Sequence, residues 1–402
     1  MDADTVDQVP TGPGGDATGQ FLRLCLQARW NPAAVDAARA LSKRDQVDWK
    51  MLLPHARREG VAPLLYDATR GQDLLPPWLE QELERDYFST ARRNLLLFEE
   101  LEGILHALKR ADVPAVLLKG AALAEVIYGN LALRPMWDID LLVRERHLRT
   151  TVRTLTGLGF RAPGGDDLDG LTPRDVHANQ LLFTKSAPTE MPIEVHWALF
   201  WFPYYQQAVP MDWFWRTALP ARLGDVDTRM LGLEAQLLHL CGHLVHHQRT
   251  EGTLRLVWLQ DVVEVVARFD DRVDWDALMD RAATFDLVVP VREVLWQVAE
   301  DWGAPIPAAV LDRLRRLRPS DREQRALAGL AATSRSMDTY ALASLVAMPD
   351  WRARLGFLWH DLLFPSPGFM RRRYAIRHPL LLPLYYPYRW IRGVWAALRP
   401  RR

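Results

Sequence analysis

Residues 137–144, W-D-I-D-L-L-V-R, restrict the fold of this chain more than any other stretch. Side chains alternate along a strand with a period of two. Ile139, Leu141 and Val143 therefore share one face, and Asp138 and Asp140 the other. The apolar face needs a core. The acidic face needs a positive charge, because neighbouring carboxylates repel and an unpaired buried one is costly. A strand with both demands belongs in a sheet, at a place that holds a cation. Hard oxygen ligands with open positions suit Mg²⁺, which takes one or two carboxylates together with substrate phosphates.

The residues upstream extend this pattern. A-V-L-L-K at 115–119 is an apolar run long enough for one buried strand. Gly120 ends it, and a helical pattern opens with Ala121. A strand, a glycine and a helix start form an anion-binding arrangement, since the first-turn N–H groups and the helix dipole face the junction. Lys119 adds a positive charge there. Downstream, M-P-I-E-V-H-W at 191–197 alternates again, with Ile193, Val195 and Trp197 on one face and Glu194 and His196 on the other. Placed beside the first acidic strand, Glu194 completes a set of three carboxylates. Such a set suits two metal ions about 4 Å apart, bridged by substrate oxygens.

The run L-L-K-G-A-A-L-A-E-V-I-Y-G-N-L-A-L-R-P-M-W-D-I-D-L-L-V, followed by E-V-H-W, resembles the uncharacterised nucleotidyltransferase family, within the polymerase-β-like nucleotidyltransferase superfamily. The resemblance spans roughly residues 90–300. It implies an α+β fold: a small mixed-sheet core flanked by N- and C-terminal helical regions. It implies transfer of a nucleoside monophosphate, AMP in the first place, from a nucleoside triphosphate with Mg²⁺ or Mn²⁺. The acceptor would be a hydroxyl or phosphate of a small molecule, sugar or peptide in a bacterial biosynthetic pathway. Asp138, Asp140 and Glu194 match the metal-binding and catalytic carboxylates. Lys119, Gly120, Ala121 and Arg134 match the nucleotide-binding positions. The chain departs from the pattern at Ala121, where the superfamily's Gly-Ser signature has a hydroxyl.

Phosphoryl chemistry depends on in-line positioning and charge neutralisation more than on covalent help. On the resemblance, Asp138 and Asp140 hold a cation on the triphosphate, and Glu194 is either a ligand of a second cation or a general base. Arg134 either grips a phosphate bidentately or orients the aspartates through a salt bridge. His196 and His177 are expected near the site, as hydrogen-bonding partners or in the chemistry itself. The same site would also serve kinase-like phosphoryl transfer. The missing hydroxyl at Ala121 leaves open a non-catalytic nucleotide- or partner-binding module.

A second cluster lies in E-A-Q-L-L-H-L-C-G-H-L-V-H-H-Q at 234–248. His239, His243 and one of His246 or His247 fall on one helical face, a spacing compatible with zinc. Packing against the catalytic domain is the plainer reading, given the leucines around them. Asp261, in the apolar run that follows, is read as structural, capping or holding a histidine. F-W-F-P-Y-Y at 200–205 is either core or a stacking surface for a base.

Composition sets the remaining bounds. The formal net charge is zero, so no global field draws the chain to nucleic acid, and no specific nucleic-acid partner is expected. The two cysteines, Cys25 and Cys241, are far apart and form no disulfide framework, which fits a cytoplasmic setting. Residues 1–20 are acidic and rich in Gly, Pro and Thr. They are expected to be disordered and lack a signal peptide's pattern. Residues 21–110 read as helical, 111–200 as the nucleotidyltransferase core, 201–345 as a helical domain, and 346–402 as a basic aromatic segment. After Asp361 come nine arginines and no acidic residue, interleaved with Leu, Tyr and Trp. That mixture points to peripheral contact of residues 371–402 with an anionic membrane. No stretch reaches the length of a transmembrane helix.

Overall fold

The computed structural model describes residues 17–44, 46–162, 179–186, 192–269, 271–333, 345, 348, 351–376 and 378–398. Four helices open it: α1 (Ala17–Gln27), α2 (Ala33–Ser42), α3 (Trp49–Arg58) and α4 (Ala62–Thr69). Residues 17–20 were expected to be disordered and instead begin α1. The Thr18 hydroxyl accepts the Asp48 N–H at 3.0 Å, and Phe21 and Leu22 behind it are fully buried. That tertiary contact outweighs the local Gly/Thr composition. Residues 1–16 of the expected disordered segment lie outside the described residues.

The long helix α5 (Pro77–Arg110) buries Leu97, Phe98, Leu101, Ile104, Leu105 and Leu108 on one side. Leu95 and Leu96, which share the sequence periodicity, stay exposed. The core sheet follows. Strand β1 (Ala115–Leu118) runs into helix α6 (Lys119–Val126), and β2 (Ile139–Val143) precedes helix α7 (Leu148–Gly157). Strands β3 (Gln180–Phe183), β4 (Ile193–His196), β5 (Leu219–Leu223) and β6 (Val226–Met230) complete a sheet of order β3-β4-β2-β1-β6-β5. β1 is antiparallel to β2 and parallel to β6, while β2 is parallel to β4, so the sheet is mixed. This is the α+β architecture read from the sequence.

The β5–β6 hairpin was not expected. The sheet continues past residue 200, into a stretch that reads as helical. Gly224, at a φ of +56°, supplies the left-handed turn between the two strands. Most of the hairpin's side chains are solvent-facing, including Arg222, Asp227 and Arg229. The edge strand β5 carries Pro220 and Arg222 without apolar alternation, as exposed edges do, while β6 alternates with Val226 and Met230 buried.

The later helices pack on one another. The helix Leu233–Glu251 packs against the helices Leu256–Phe269 and Val288–Glu300. Arg29, two residues past α1, pairs with Glu264 at 2.7 Å, and the Glu59 carbonyl accepts the Val257 N–H at 3.1 Å. These contacts fasten the N-terminal helices to the C-terminal ones. Among the described residues no helix is long and apolar enough to cross a membrane.

Candidate active site

Register brings the acids together. Asp140 on β2 stands opposite Glu194 on β4, and Leu118 at the end of β1 stands opposite Asp140 on its other side. The chain leaves β1 at Lys119, whose φ of +44° is unusual for a residue with a side chain. Holding such a residue there costs about 1–3 kcal/mol, a strain found mostly at functional turns. It brings the Lys119 ammonium 2.7 Å from Asp140 Oδ1 and 4.0 Å from Glu194 Oε2.

His196 lies two residues after Glu194 on the same face of β4. Its Nε2 is 2.8 Å from Asp140 Oδ1 and 3.5 Å from Glu194 Oε2. Its Nδ1 faces the Asn179 side-chain amide at 3.4 Å, and that amide also donates to the Ala198 carbonyl at 2.9 Å. Asn179 thus turns the imidazole so that Nε2 points at the acids. Potential ligand atoms of Asp140, Glu194 and His196 all lie within 4.8 Å of one another. Asp138 sits just before β2, half-buried. It is therefore beside the strand rather than within it, but close enough to share the field of the other acids.

The electrostatics show crowding. Burial, reinforced by the charge of Asp140, pushes the Asp138 carboxyl up to about 6. Burial would also raise Asp140, but Lys119 and the hydrogen bond from His196 hold it well below the usual carboxylate range. Burial alone would depress Lys119; the charges of Asp140, Asp138 and Glu194 outweigh it and keep the ammonium protonated. The same balance acts on His196, where hydrogen bonds to Asp140 and Glu194 overcome burial and raise its pKa.

Gly120 and Ala121 open α6 and are buried. A Cβ on Gly120 would stand 2.9 Å from Arg134 Nη1 and 3.0 Å from Met136 Cγ, so only glycine lets the 134–136 segment lie this close to the helix start. That segment is pinned by Asn94, which donates to the Leu131 and Arg134 carbonyls at 2.6 and 2.9 Å. Arg134 is itself engaged. Its Nη2 and Nε donate to the two oxygens of Asp261 at 2.7 and 3.2 Å, and Nη1 donates to the Pro135 carbonyl at 2.9 Å. Neither expected role of Arg134 is displayed: its salt bridge goes away from Asp138 and Asp140, to a carboxylate outside the acidic set. Its partner is Asp261 on the helix Leu256–Phe269, which also accepts from Tyr128 at 2.8 Å. The expectation that Asp261 holds a histidine is thereby corrected: a buried carboxylate in an apolar helix face has taken a buried guanidinium. His177 lies outside the described residues.

The histidine helix packs on this centre. His239 is fully buried with neither ring nitrogen hydrogen-bonded within the protein. Burial holds it neutral, at about 3, with the charges of Lys119 and His196 adding to the effect. His243 and His247 continue the row at successive turns, and both rings contact Trp258, at 5.5 and 5.1 Å. The Arg255 guanidinium lies over Trp258 at 5.7 Å and over Trp137 at 5.0 Å. His246 points elsewhere, against Phe200 and Tyr205. Among the described residues these histidines form no set of three metal ligands. Phe200, Phe202, Tyr204 and Tyr205 are buried, so the 200–205 segment is core. The half-buried aromatics near the site are instead Trp137 and Trp258, which lie far apart in the sequence.

A family model described as uncharacterised nucleotidyltransferase matches residues 45–303, well over half of the chain. That span contains α3 through the helix Val288–Glu300, and with them every acid, the lysine and the arginine of the site. No curated protein and no solved structure matches the chain.

Proposed function

The chain belongs to the uncharacterised nucleotidyltransferase family, and from that membership we propose a specific transfer. It moves a nucleoside monophosphate, AMP in the first place, from a nucleoside triphosphate to a hydroxyl or phosphate on a small molecule, sugar or peptide of a biosynthetic pathway. The observation that carries this reading is the convergence of Lys119, Glu194 and His196 on Asp140, in register across three neighbouring strands.

The residues present fit a divalent cation. Asp140 and Glu194 meet Lys119 and His196, and Asp138 beside them is raised to about 6, first by burial and then by the charge of Asp140. Asp138, Asp140 and Glu194 would hold Mg²⁺ or Mn²⁺. Such an ion supplies charge neutralisation at the triphosphate and a lowered pKa for the attacking hydroxyl. Lys119 draws the polyphosphate toward Asp140. The first-turn N–H groups of α6 offer donors to its oxygens, as helix starts do. His196 fixes the Asp140 carboxylate in one orientation, and Asn179 fixes His196. Arg134 sets the position of the glycine turn and spreads positive potential over Asp138. Trp258 and Trp137 present aromatic surface for a base beyond the histidine row.

Incubation with each labelled nucleoside triphosphate and host-cell extract tests the proposal. Label is expected to move to an acceptor with the wild-type chain and not with the Asp138→Ala/Asp140→Ala variant. Equal labelling by both would remove the catalytic assignment. A second reading, a nucleotide-binding module without turnover, draws on the missing hydroxyl at Ala121. Calorimetry with ATP separates the two. Binding that requires Mg²⁺ and is lost in Asp138→Asn favours the enzyme; metal-independent binding favours the module.

A further inference from the structure

The C-terminal segment carries a surface that the transfer reaction does not use. Its last helix, Leu382–Leu398, has two distinct sides. One side packs inward: Tyr386 donates to the Pro365 carbonyl at 2.9 Å, and Trp390 Nε1 donates to the Leu363 carbonyl at 2.8 Å. The other side bears Leu384, Tyr388 and Ile391, which are 67%, 51% and 71% exposed. At about 100° per residue the two sets lie on opposite faces. Tyr388 meets the rings of Tyr374 and Tyr385 at its edge, and among the described residues Leu384 and Ile391 stay largely uncovered.

A second apolar stripe precedes it. Trp351, Leu355 and Trp359 recur every four residues and are 65%, 53% and 55% exposed. Exposed apolar residues in such rows mark a contact surface rather than scattered surface leucines. Charge identifies the partner. Residues 362–402 contain nine arginines and no aspartate or glutamate, although the chain as a whole is neutral. Arg371, Arg373 and Arg392 are exposed. Nucleic acid would satisfy the arginines and leave Leu384 and Ile391 in water. An anionic bilayer satisfies both, because aliphatic side chains enter the acyl boundary, tyrosine and tryptophan prefer the interface, and arginines meet the headgroups.

We propose that residues 351–376 and 378–392 dock this protein on an anionic lipid surface, with Leu384, Tyr388 and Ile391 inserted and Arg371, Arg373 and Arg392 on the headgroups. The attachment is peripheral, and it goes beyond the proposed transfer without depending on it.

Flotation of the full-length protein with phosphatidylcholine vesicles, with and without phosphatidylserine, tests this. Binding is expected only with phosphatidylserine, and it weakens as salt rises. Arg371→Gln/Arg373→Gln/Arg392→Gln is expected to weaken partitioning about a hundredfold, at about fivefold per arginine near the surface. Leu384→Glu/Ile391→Glu is expected to abolish binding while its thermal unfolding and Mg²⁺-dependent ATP binding match the wild type. These substitutions touch only solvent-facing positions, and the unfolding measurement guards against a folding defect. Wild-type protein that ignores phosphatidylserine vesicles overturns the proposal, as does unchanged vesicle binding by the glutamate variant. So does a lipid-independent dimer that the glutamate variant dissolves, or RNA binding that this variant retains while vesicles go unbound.

Discussion

Replacing Asp261 with asparagine isolates the contribution of one buried charge. Asp261 and Arg134 are 1% and 6% exposed at their side chains and meet through two hydrogen bonds. Arginine does not give up its proton inside a protein. In this site Asp261, set against the effect of burial, raises the guanidinium further. The variant therefore leaves a permanent positive charge without its counter-charge. Breaking a buried pair by removing one partner costs about 3–5 kcal/mol, most of it from the stranded ion. Asparagine keeps one acceptor for Nε or Nη2, so the lower end applies, about 3 kcal/mol. For a chain of this size that corresponds to a fall in Tm of about 3–4 °C. Scanning calorimetry at neutral pH reads it directly. The double variant Asp261→Asn/Arg134→Met is expected to lose less than the sum of the two single variants, because it strands no charge. A Tm within about 1 °C of the wild type for Asp261→Asn would refute the reasoning.

Two further outcomes follow from the same geometry. Asp138 is raised to about 6 in the metal-free protein, so Mn²⁺ must displace a proton below that pH. Its affinity is expected to be level above about pH 7 and to fall about tenfold per unit below about pH 5 from this one group. A titration flat from pH 5 to pH 8, by calorimetry, would remove Asp138 from the ligand set. Gly120→Ala puts a methyl group 2.9 Å from Arg134 Nη1 and is expected to weaken ATP binding about tenfold by displacing the 134–136 segment; unchanged affinity would show that the glycine turn does not face the nucleotide.

The legible part of this protein is the part whose physics is local. Asp140 interrupts an apolar strand, where a buried acid demands a counter-charge; Asp138 lies just before that strand and half-buried, outside the alternation from which its direction is read. Glu194 and His196 share a face by alternation alone, and the fold puts that face on Asp140. The β5–β6 hairpin was hidden because the edge strand β5 carries Pro220 and Arg222 and buries only Leu223, while β6 is five residues long with only Val226 and Met230 apolar. The Arg134–Asp261 pair was hidden by distance: 127 residues separate them, and nothing near Arg134 reveals its partner. A sharper signal existed in Asp261 itself. An acid flanked by Val257, Leu259, Val262 and Val263 on a buried helix face requires a cation from elsewhere in the fold. Arg255 bridges Trp137 and Trp258 only through packing of residues 118 or more positions apart, so this cluster could not be read from spacing.

Asp261 also decides what the acidic centre is able to bind. Arg134 lies close enough to Asp138 for each charge to shift the other. The bidentate hold of Asp261, with Tyr128 bracing one of its oxygens, fixes the guanidinium beside Gly120 instead of on Asp138. Asp140 is met by Lys119 and His196 at 2.7 and 2.8 Å, and Glu194 lies within 4.0 Å of the same two groups. Among the described residues no salt bridge reaches Asp138, whose carboxyl burial and the charge of Asp140 raise to about 6. Of the three acids, Asp138 is therefore the one whose ionisation a divalent cation would favour most. Asp261 contributes to that arrangement from a distance, by holding the arginine that would otherwise be the neighbouring counter-charge.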